Sequence, residues 1–231
     1  MSKTTASTAK SHDLTQGSIA KTMLLFALPT LGSSALQSLN GSINAVWVGR
    51  FLGEEALAAT ANGNILMFIL ISFVFGFGMA ATILIGQAMG RRNDTMVKRT
   101  MGTALGSIIP ISILVSAIGW TFAPLLLNLL GTPASAVELA LTYLRMIFVA
   151  MPVTLTFTLI MMALRGTGDS TTPLWFIIIS VIIDLILTPV LILGIGPFPE
   201  WGIFGSAFAT AVANALALIG MIVTMYLRGS V

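Results

Sequence analysis

The sequence predicts an all-α polytopic membrane protein with six transmembrane helices. Three observations carry that prediction. Of the 231 residues, 56% are hydrophobic and only 8% are charged, whereas a soluble domain carries about 25% charged residues. The mean hydropathy is +0.99, and the apolar runs are long and unalternating, so they describe helices rather than an outer-membrane barrel. Polar breaks with turn chemistry divide those runs into six.

Taken in order, residues 1–17 are rich in Ser, Thr and Lys and are predicted to form a disordered cytoplasmic tail. Residues 18–231 are the transmembrane lobe. The spans lie near Ile19–Val48, Leu57–Ala88, Thr100–Ala123, Val137–Leu164, Pro173–Leu193 and Ile203–Leu227. Each is close to or longer than the ~20 residues that cross a bilayer. The breaks between them are Gly49-Arg-Phe-Leu-Gly53, Gly90-Arg-Arg-Asn-Asp94, Gly131-Thr-Pro133, Arg165-Gly-Thr-Gly-Asp169 and Gly194-Ile-Gly-Pro-Phe-Pro199.

Charge placement orients the chain. Lys3, Lys10, Lys21, Arg91, Arg92, Lys98, Arg99, Arg165 and Arg228 fall on one side, in the tails and even-numbered loops. The other side receives Arg50 with Glu54, Glu55, Glu138 and Glu200. Both termini are therefore expected in the cytoplasm, with the chain spanning the cell inner membrane. Arg145 lies inside the fourth span. A helix from Ala134 to Leu164 runs ~46 Å, longer than a ~30 Å hydrocarbon core, so Arg145 is expected near the outer interface, snorkelling.

Composition also excludes functions. There is no cysteine, and the single histidine, His12, lies in the polar tail. No triad, thiolate site or zinc site can be assembled from that set. The chain is not read as an enzyme, no cofactor is expected, and the basic pI reports topology rather than nucleic-acid binding. Gly76-Phe-Gly-Met-Ala-Ala81 fits a dinucleotide pattern, but it sits in a membrane span with no preceding strand. Gly86–Gly90 and Gly102–Gly106 fit GxxxG and are expected to allow close helix packing.

What remains is a set of polar stripes at membrane depth. Asp184 is the one carboxylate stranded inside a hydrophobic run, and an acid there marks an ion or substrate pathway by default. Ser180, Asp184 and Thr188 are spaced by four on the fifth span. Ser33, Gln37, Asn40 and Asn44 share one face of the first, and Ser206, Thr210 and Asn214 one face of the sixth. Three such stripes suggest a shared wet interior. For the hydroxyls, helix–helix adhesion at ~0.6 kcal/mol per pair is the competing reading. Prolines 29, 110, 152 and 189 free carbonyls for ion ligation or bending, or make static kinks. The 13 methionines offer a compliant wall for varied ligands, or simply packing.

These residues resemble the multidrug and toxic compound extrusion (MATE) transporters across nearly all of Ile19–Leu227. The resemblance rests on Pro29 with Leu36-Gln-Ser-Leu, on Val46-Trp-Val-Gly-Arg-Phe-Leu-Gly-Glu-Glu-Ala-Leu-Ala-Ala59 and on Gly86-Gln-Ala-Met-Gly90. It extends to Ala163-Leu-Arg-Gly-Thr-Gly-Asp-Ser-Thr-Thr-Pro173 and Gly202-Ile-Phe-Gly-Ser-Ala-Phe-Ala-Thr210. It implies one lobe of a MATE-like two-lobe transporter, the N-terminal six-helix lobe. It also implies secondary active export of small amphipathic, cationic drugs in exchange for H⁺ or Na⁺. The family's cation site maps onto Asp184, Thr210 and Gln37, with Ser180 replacing an asparagine and Asn44 replacing an aspartate. Asn44 leaves Asp184 as the sole charge for H⁺ or Na⁺, which favours a proton. Asn40, from the first-span stripe, joins the candidate cation and substrate site.

The family has two lobes and this chain supplies one, so a homodimer or a missing C-terminal lobe is the expected partner, within membrane lipid. Two other readings stay open: a non-transporting lobe or gene fragment needing a second half, and a flippase for lipid-linked substrates. A flippase cavity of this kind carries several basic residues, against Arg145 alone here.

Overall fold

The computed structural model describes residues 18–228; the tail expected over 1–17 and residues 229–231 lie outside them. The described residues form six helices: α1 Ile19–Leu52, α2 Glu54–Gly90, α3 Asp94–Leu129, α4 Val137–Gly166, α5 Thr171–Leu193 and α6 Gly202–Arg228. All six are long and apolar enough to cross a membrane. In a bilayer a helix satisfies its own backbone polar groups, so an apolar run of this length has no competing structure. Many hydroxyls likewise bond within their own helix. Thr30, Ser34, Ser42, Ser72 and Thr121 each donate to the carbonyl four residues back.

The helices are longer than the apolar runs suggested. α1 passes through Gly49 and stops only at Gly53, whose φ of +86° is the left-handed backbone that glycine tolerates. One residue therefore separates α1 from α2, where the sequence indicated a five-residue break. α3 starts at Asp94 rather than near Thr100, because the Asn93 side chain accepts a hydrogen bond from the Met96 amide at 3.0 Å and so caps it. All the expected prolines lie inside continuous helices, as does Pro124. The Phe148 carbonyl, released from helix bonding by Pro152, accepts a hydrogen bond from Ser116 on α3 at 2.5 Å.

α4 is the most buried helix and α1 the least. α4 packs against α2, α3 and α6; α5 lies between α1 and α6; and α1 touches α2 more lightly. The result is a ring of α1, α5, α6, α4 and α2, with α3 behind α2 and α4. The close approaches fall at glycines other than the GxxxG pairs. Gly102, Gly106 and Gly90 have open space where a Cβ would stand, and Gly86 meets only the Gly166 carbonyl at 3.5 Å. A Cβ on Gly166 would instead lie 2.8 Å from the Thr82 carbonyl, and one on Gly119 would overlap the Phe148 ring. The expected packing role of the GxxxG pairs is therefore corrected. These residues sit on outward stretches of α2 and α3, and single glycines at other positions bring the helices together.

The turn before α5 is held by Asp169. Its Oδ1 accepts from the Thr171 and Thr172 amides at 3.1 and 2.9 Å, and its Oδ2 accepts from the Thr172 hydroxyl at 2.6 Å. Burial works to raise the pKa of this carboxyl, but hydrogen bonds from Thr172 and Thr171 outweigh burial and hold it below its ordinary 3.8. A depressed folded pKa contributes stability that is complete above the unfolded value and is lost as pH falls through the folded one. Asp169→Asn is expected to cost about 1 kcal/mol at neutral pH. It is also expected to remove part of the acid-side loss of stability below about pH 4. Thermal unfolding across a pH series checks both.

Candidate functional site

The ring encloses a cavity of about 300 Å³. Its wall takes residues from α1, α2, α4, α5 and α6 and none from α3. The polar stripe of α1 turns inward through Gln37, Asn40 and Asn44, and α6 contributes Ser206, Thr210 and Asn214. α2 adds Thr60 and Asn64, and α4 adds Tyr143, Thr154, Thr158 and Arg165. Much of the rest is apolar and compliant, including Met67, Phe75, Phe157, Met161 and Met162.

Asp184 lies just behind this wall and is only 2% exposed. Its Oδ2 accepts from Asn40 Nδ2 at 2.7 Å and from Asn44 Nδ2 at 3.5 Å. Its Oδ1 accepts from Thr210 Oγ1 at 3.0 Å and Thr188 Oγ1 at 3.2 Å. Three helices thus converge on one carboxylate, and every bond is donated to it. An ionised carboxylate accepts only, so protonation turns one oxygen into a donor and must break or reverse one of these bonds. The network continues outward. Asn44 also donates to Thr210 Oγ1 at 3.3 Å and accepts from Ser206 Oγ at 3.0 Å. Any change at Asp184 is therefore passed to Asn40, Asn44 and Thr210, which face the cavity.

Among the described residues, no three His, Cys, Asp or Glu side chains form a cluster that could hold a metal ion. The oxygens bonded to Asp184 are the Thr188 and Thr210 hydroxyls, whereas Asn40 presents its amide nitrogen. That set suits a proton on the carboxylate and is sparse for a hard cation, which takes several oxygens. Asn44 turns its amide nitrogen, not its oxygen, toward Asp184.

The other sequence candidates separate. Ser180 lines the cavity and donates to Asn214 at 3.0 Å, one helical turn from Asp184 rather than on it. Gln37 lines the cavity and reaches the Ser33 carbonyl at 3.4 Å. Ser33 is fully buried and donates to the Pro29 carbonyl at 2.8 Å. Thr60, Asn64, Tyr143, Thr154 and Thr158 on the cavity wall were missed from sequence. Asn64, spaced four from Thr60, was a legible amide within a span. Tyr143 had no stripe to mark it; it packs on Gly63, where a Cβ would stand 2.7 Å from its ring.

The two arginines differ in position, and Arg165 departs from expectation. Arg145 places its guanidinium 4.7 Å above the Trp120 ring, a cation–π contact with α3, and is absent from the cavity wall. Arg165, read from sequence as a loop residue, belongs to the last turn of α4 and lines the cavity. Its Nε and Nη2 are buried without a hydrogen-bond partner among the described residues.

Comparison with known proteins places this geometry. The MatE family profile matches residues 29–190. The chain is 40% identical over 211 residues to the probable multidrug resistance protein YoeA of Bacillus subtilis, covering 91% of this chain and 45% of that protein. It is 31% identical over 207 residues to the FAD transporter of Shewanella oneidensis, covering 90% and 46%. Its fold superposes with a TM-score of 0.85 on a multidrug resistance MATE family transporter in an outward-facing conformation. That superposition, at 21% identity, covers 95% of this chain and 47% of the other. The chain spans about half the length of the relatives it matches. It belongs to the MATE family of membrane transporters and corresponds to the N-terminal six-helix lobe.

Proposed function

We propose that this lobe works in a secondary active exporter of small amphipathic, cationic compounds, driven by inward movement of H⁺ or Na⁺ held at Asp184. The observation that carries the proposal is the buried carboxylate bonded by four side chains from three helices directly behind the cavity wall. Loss of the ion restores a full negative charge behind the wall and favours a cationic ligand. Ion binding neutralises that charge and rearranges Asn40, Asn44 and Thr210. Ion and ligand then oppose each other, which is the reciprocal coupling that antiport requires. The proton is the favoured ion, since a single carboxylate carries one without the further oxygens that Na⁺ needs.

In this reading the chain lies in the inner membrane with its basic loops and both termini cytoplasmic. It pairs through its cavity side with a second copy or with a C-terminal lobe, because polar stripes facing lipid are unfavourable. The test is efflux of a fluorescent cationic dye from proteoliposomes holding this chain, with pH and Na⁺ gradients imposed separately. Gradient-driven efflux supports the proposal and names the ion. Its absence from folded protein, alone and with a C-terminal lobe supplied, contradicts it.

A second reading concerns substrate charge. Arg165 on the cavity wall leaves two parallel donors unpaired. Such a fork suits a carboxylate or phosphate, and one relative is an FAD transporter. Arg165→Gln is expected to weaken binding of an anionic aromatic dye by roughly tenfold to a hundredfold, the scale of one charge-assisted hydrogen bond, and to leave cationic dye binding in place. Fluorescence anisotropy of the two dyes checks it. The flippase reading has less support, since Arg165 is the only basic residue among the described residues lining the cavity and Arg145 stacks on Trp120 away from it.

A further inference from the structure

α2 and α3 leave a second groove of about 340 Å³ on the outside of the bundle. Its floor is apolar, built from Phe77, Ala80 and Leu84 of α2 and Ala104 of α3, with Arg99 and Thr103 also lining it. At 3.6 residues per turn, the α2 groove residues lie about 130° around the helix from Thr60, Asn64 and Ile71, which face the cavity. The groove is therefore separate from the transport site and opens toward lipid. The small side chains of Ala80 and Ala104 make the trough, and Gly102 and Gly106 beside it have no neighbour within 4 Å where a Cβ would stand.

Depth fixes what each part meets. α3 has 36 residues and is about 54 Å long, which exceeds a ~30 Å hydrocarbon core by roughly 12 Å at each end. Arg99 lies five residues after Asp94, at about 7.5 Å of rise, in the headgroup layer. Thr103 and Ala104 lie at the hydrocarbon boundary, with Phe77 deeper. Charge is concentrated at the same end. Arg91, Arg92, Lys98 and Arg99 are all exposed in the α2–α3 turn and the start of α3, where Asp94 is the one acid. Among the described residues no acidic side chain lines the groove, so no carboxylate there pairs with a choline or ethanolamine cation.

We propose that this groove is a binding site for an anionic glycerophospholipid. The phosphate pairs with the Arg99 guanidinium, which carries donors in a fork that matches phosphate oxygens. One acyl chain lies along the trough over Ala80 and Phe77. Basic pockets between helices at the cytoplasmic face recognise lipid headgroups by this combination of charge and apolar contact.

The test is native mass spectrometry of the full chain with phosphatidylglycerol and phosphatidylcholine of matched acyl chains, supplied together. The expected result is preferential retention of phosphatidylglycerol, about fivefold or more, the share of one cation near an anionic headgroup. Arg99→Gln removes the preference, and Ala80→Phe, which fills the trough at an exposed position, lowers retention of both lipids. Lys98→Gln, outside the groove, keeps the preference. The proposal is overturned by any of three results: an unchanged preference in Arg99→Gln, full retention in Ala80→Phe, or an equal loss in Lys98→Gln, which would mean diffuse surface charge instead of a site.

Discussion

Asp184→Asn is expected to reduce gradient-driven dye efflux to background while leaving the lobe folded. The two side chains have nearly the same shape, so packing around position 184 is retained. The chemistry differs. The carboxylate accepts from Asn40, Asn44, Thr188 and Thr210 together, whereas an amide presents one accepting oxygen and one donating nitrogen. That nitrogen would face either the amide donors of Asn40 and Asn44 or the two threonine hydroxyls. Hydroxyls can rotate to accept; amide nitrogens cannot. The substitution is therefore expected to settle with its oxygen toward Asn40, at about 1–3 kcal/mol of stability. The amide neither carries a proton at neutral pH nor offers charge to Na⁺, so coupling is lost whichever ion is used. Asp184→Ala is expected to be worse for folding, because buried donors are then left without an acceptor. Efflux assays combined with thermal unfolding distinguish the two variants; coupled efflux by Asp184→Asn would contradict the proposal.

The second large effect is expected at Gly205, where α6 crosses α5. A Cβ there would lie 2.8 Å from the Leu191 carbonyl oxygen and 2.9 Å from its carbon. These are backbone atoms and cannot rotate aside, so Gly205→Ala must push the two helices apart. Overpacking of this kind costs about 1–3 kcal/mol. The consequence reaches the site, because Thr210 on α6 bonds Asp184 on α5 at 3.0 Å only five residues further along. Gly220→Ala in the same helix is the control. Its Cβ would meet the edge of the Phe176 ring at 2.9 Å, a side chain that can move. Gly205→Ala is expected to lower Tm and impair ion-dependent efflux together, whereas Gly220→Ala does neither to the same degree. Equal effects from both would mean that the α5–α6 crossing does not set the site.

Much of this was legible because the physics of a bilayer is strict. A carboxylate within an apolar run stands out, so Asp184 could be named from sequence. The spacing of Asn40 and Asn44, and of Ser206 and Thr210, put each pair on one face. Pairing those faces required packing information. Asn40 and Asp184 are 144 residues apart, and periodicity along one helix carries nothing about its neighbour. Tyr143 escaped for that reason: its place on the cavity depends on Gly63 of another helix. Arg165 was misplaced because a basic residue beside glycines reads as a loop, whereas α4 continues through it to Gly166. Break lengths were overestimated for a related reason. Within a bilayer a helix persists through Gly49, and a single positive-φ glycine at 53 is enough to end it.

The central claim is that the coupling ion and the exported compound oppose each other through Asp184. Its most direct measurement is the affinity of the purified chain for a fluorescent cationic dye across a pH series, with and without Na⁺, in wild type and Asp184→Asn. The account predicts wild-type affinity that weakens as protons or Na⁺ bind, and a weaker, ion-independent affinity in the variant. Dye affinity with the same ion dependence in both proteins would contradict it and place the coupling elsewhere.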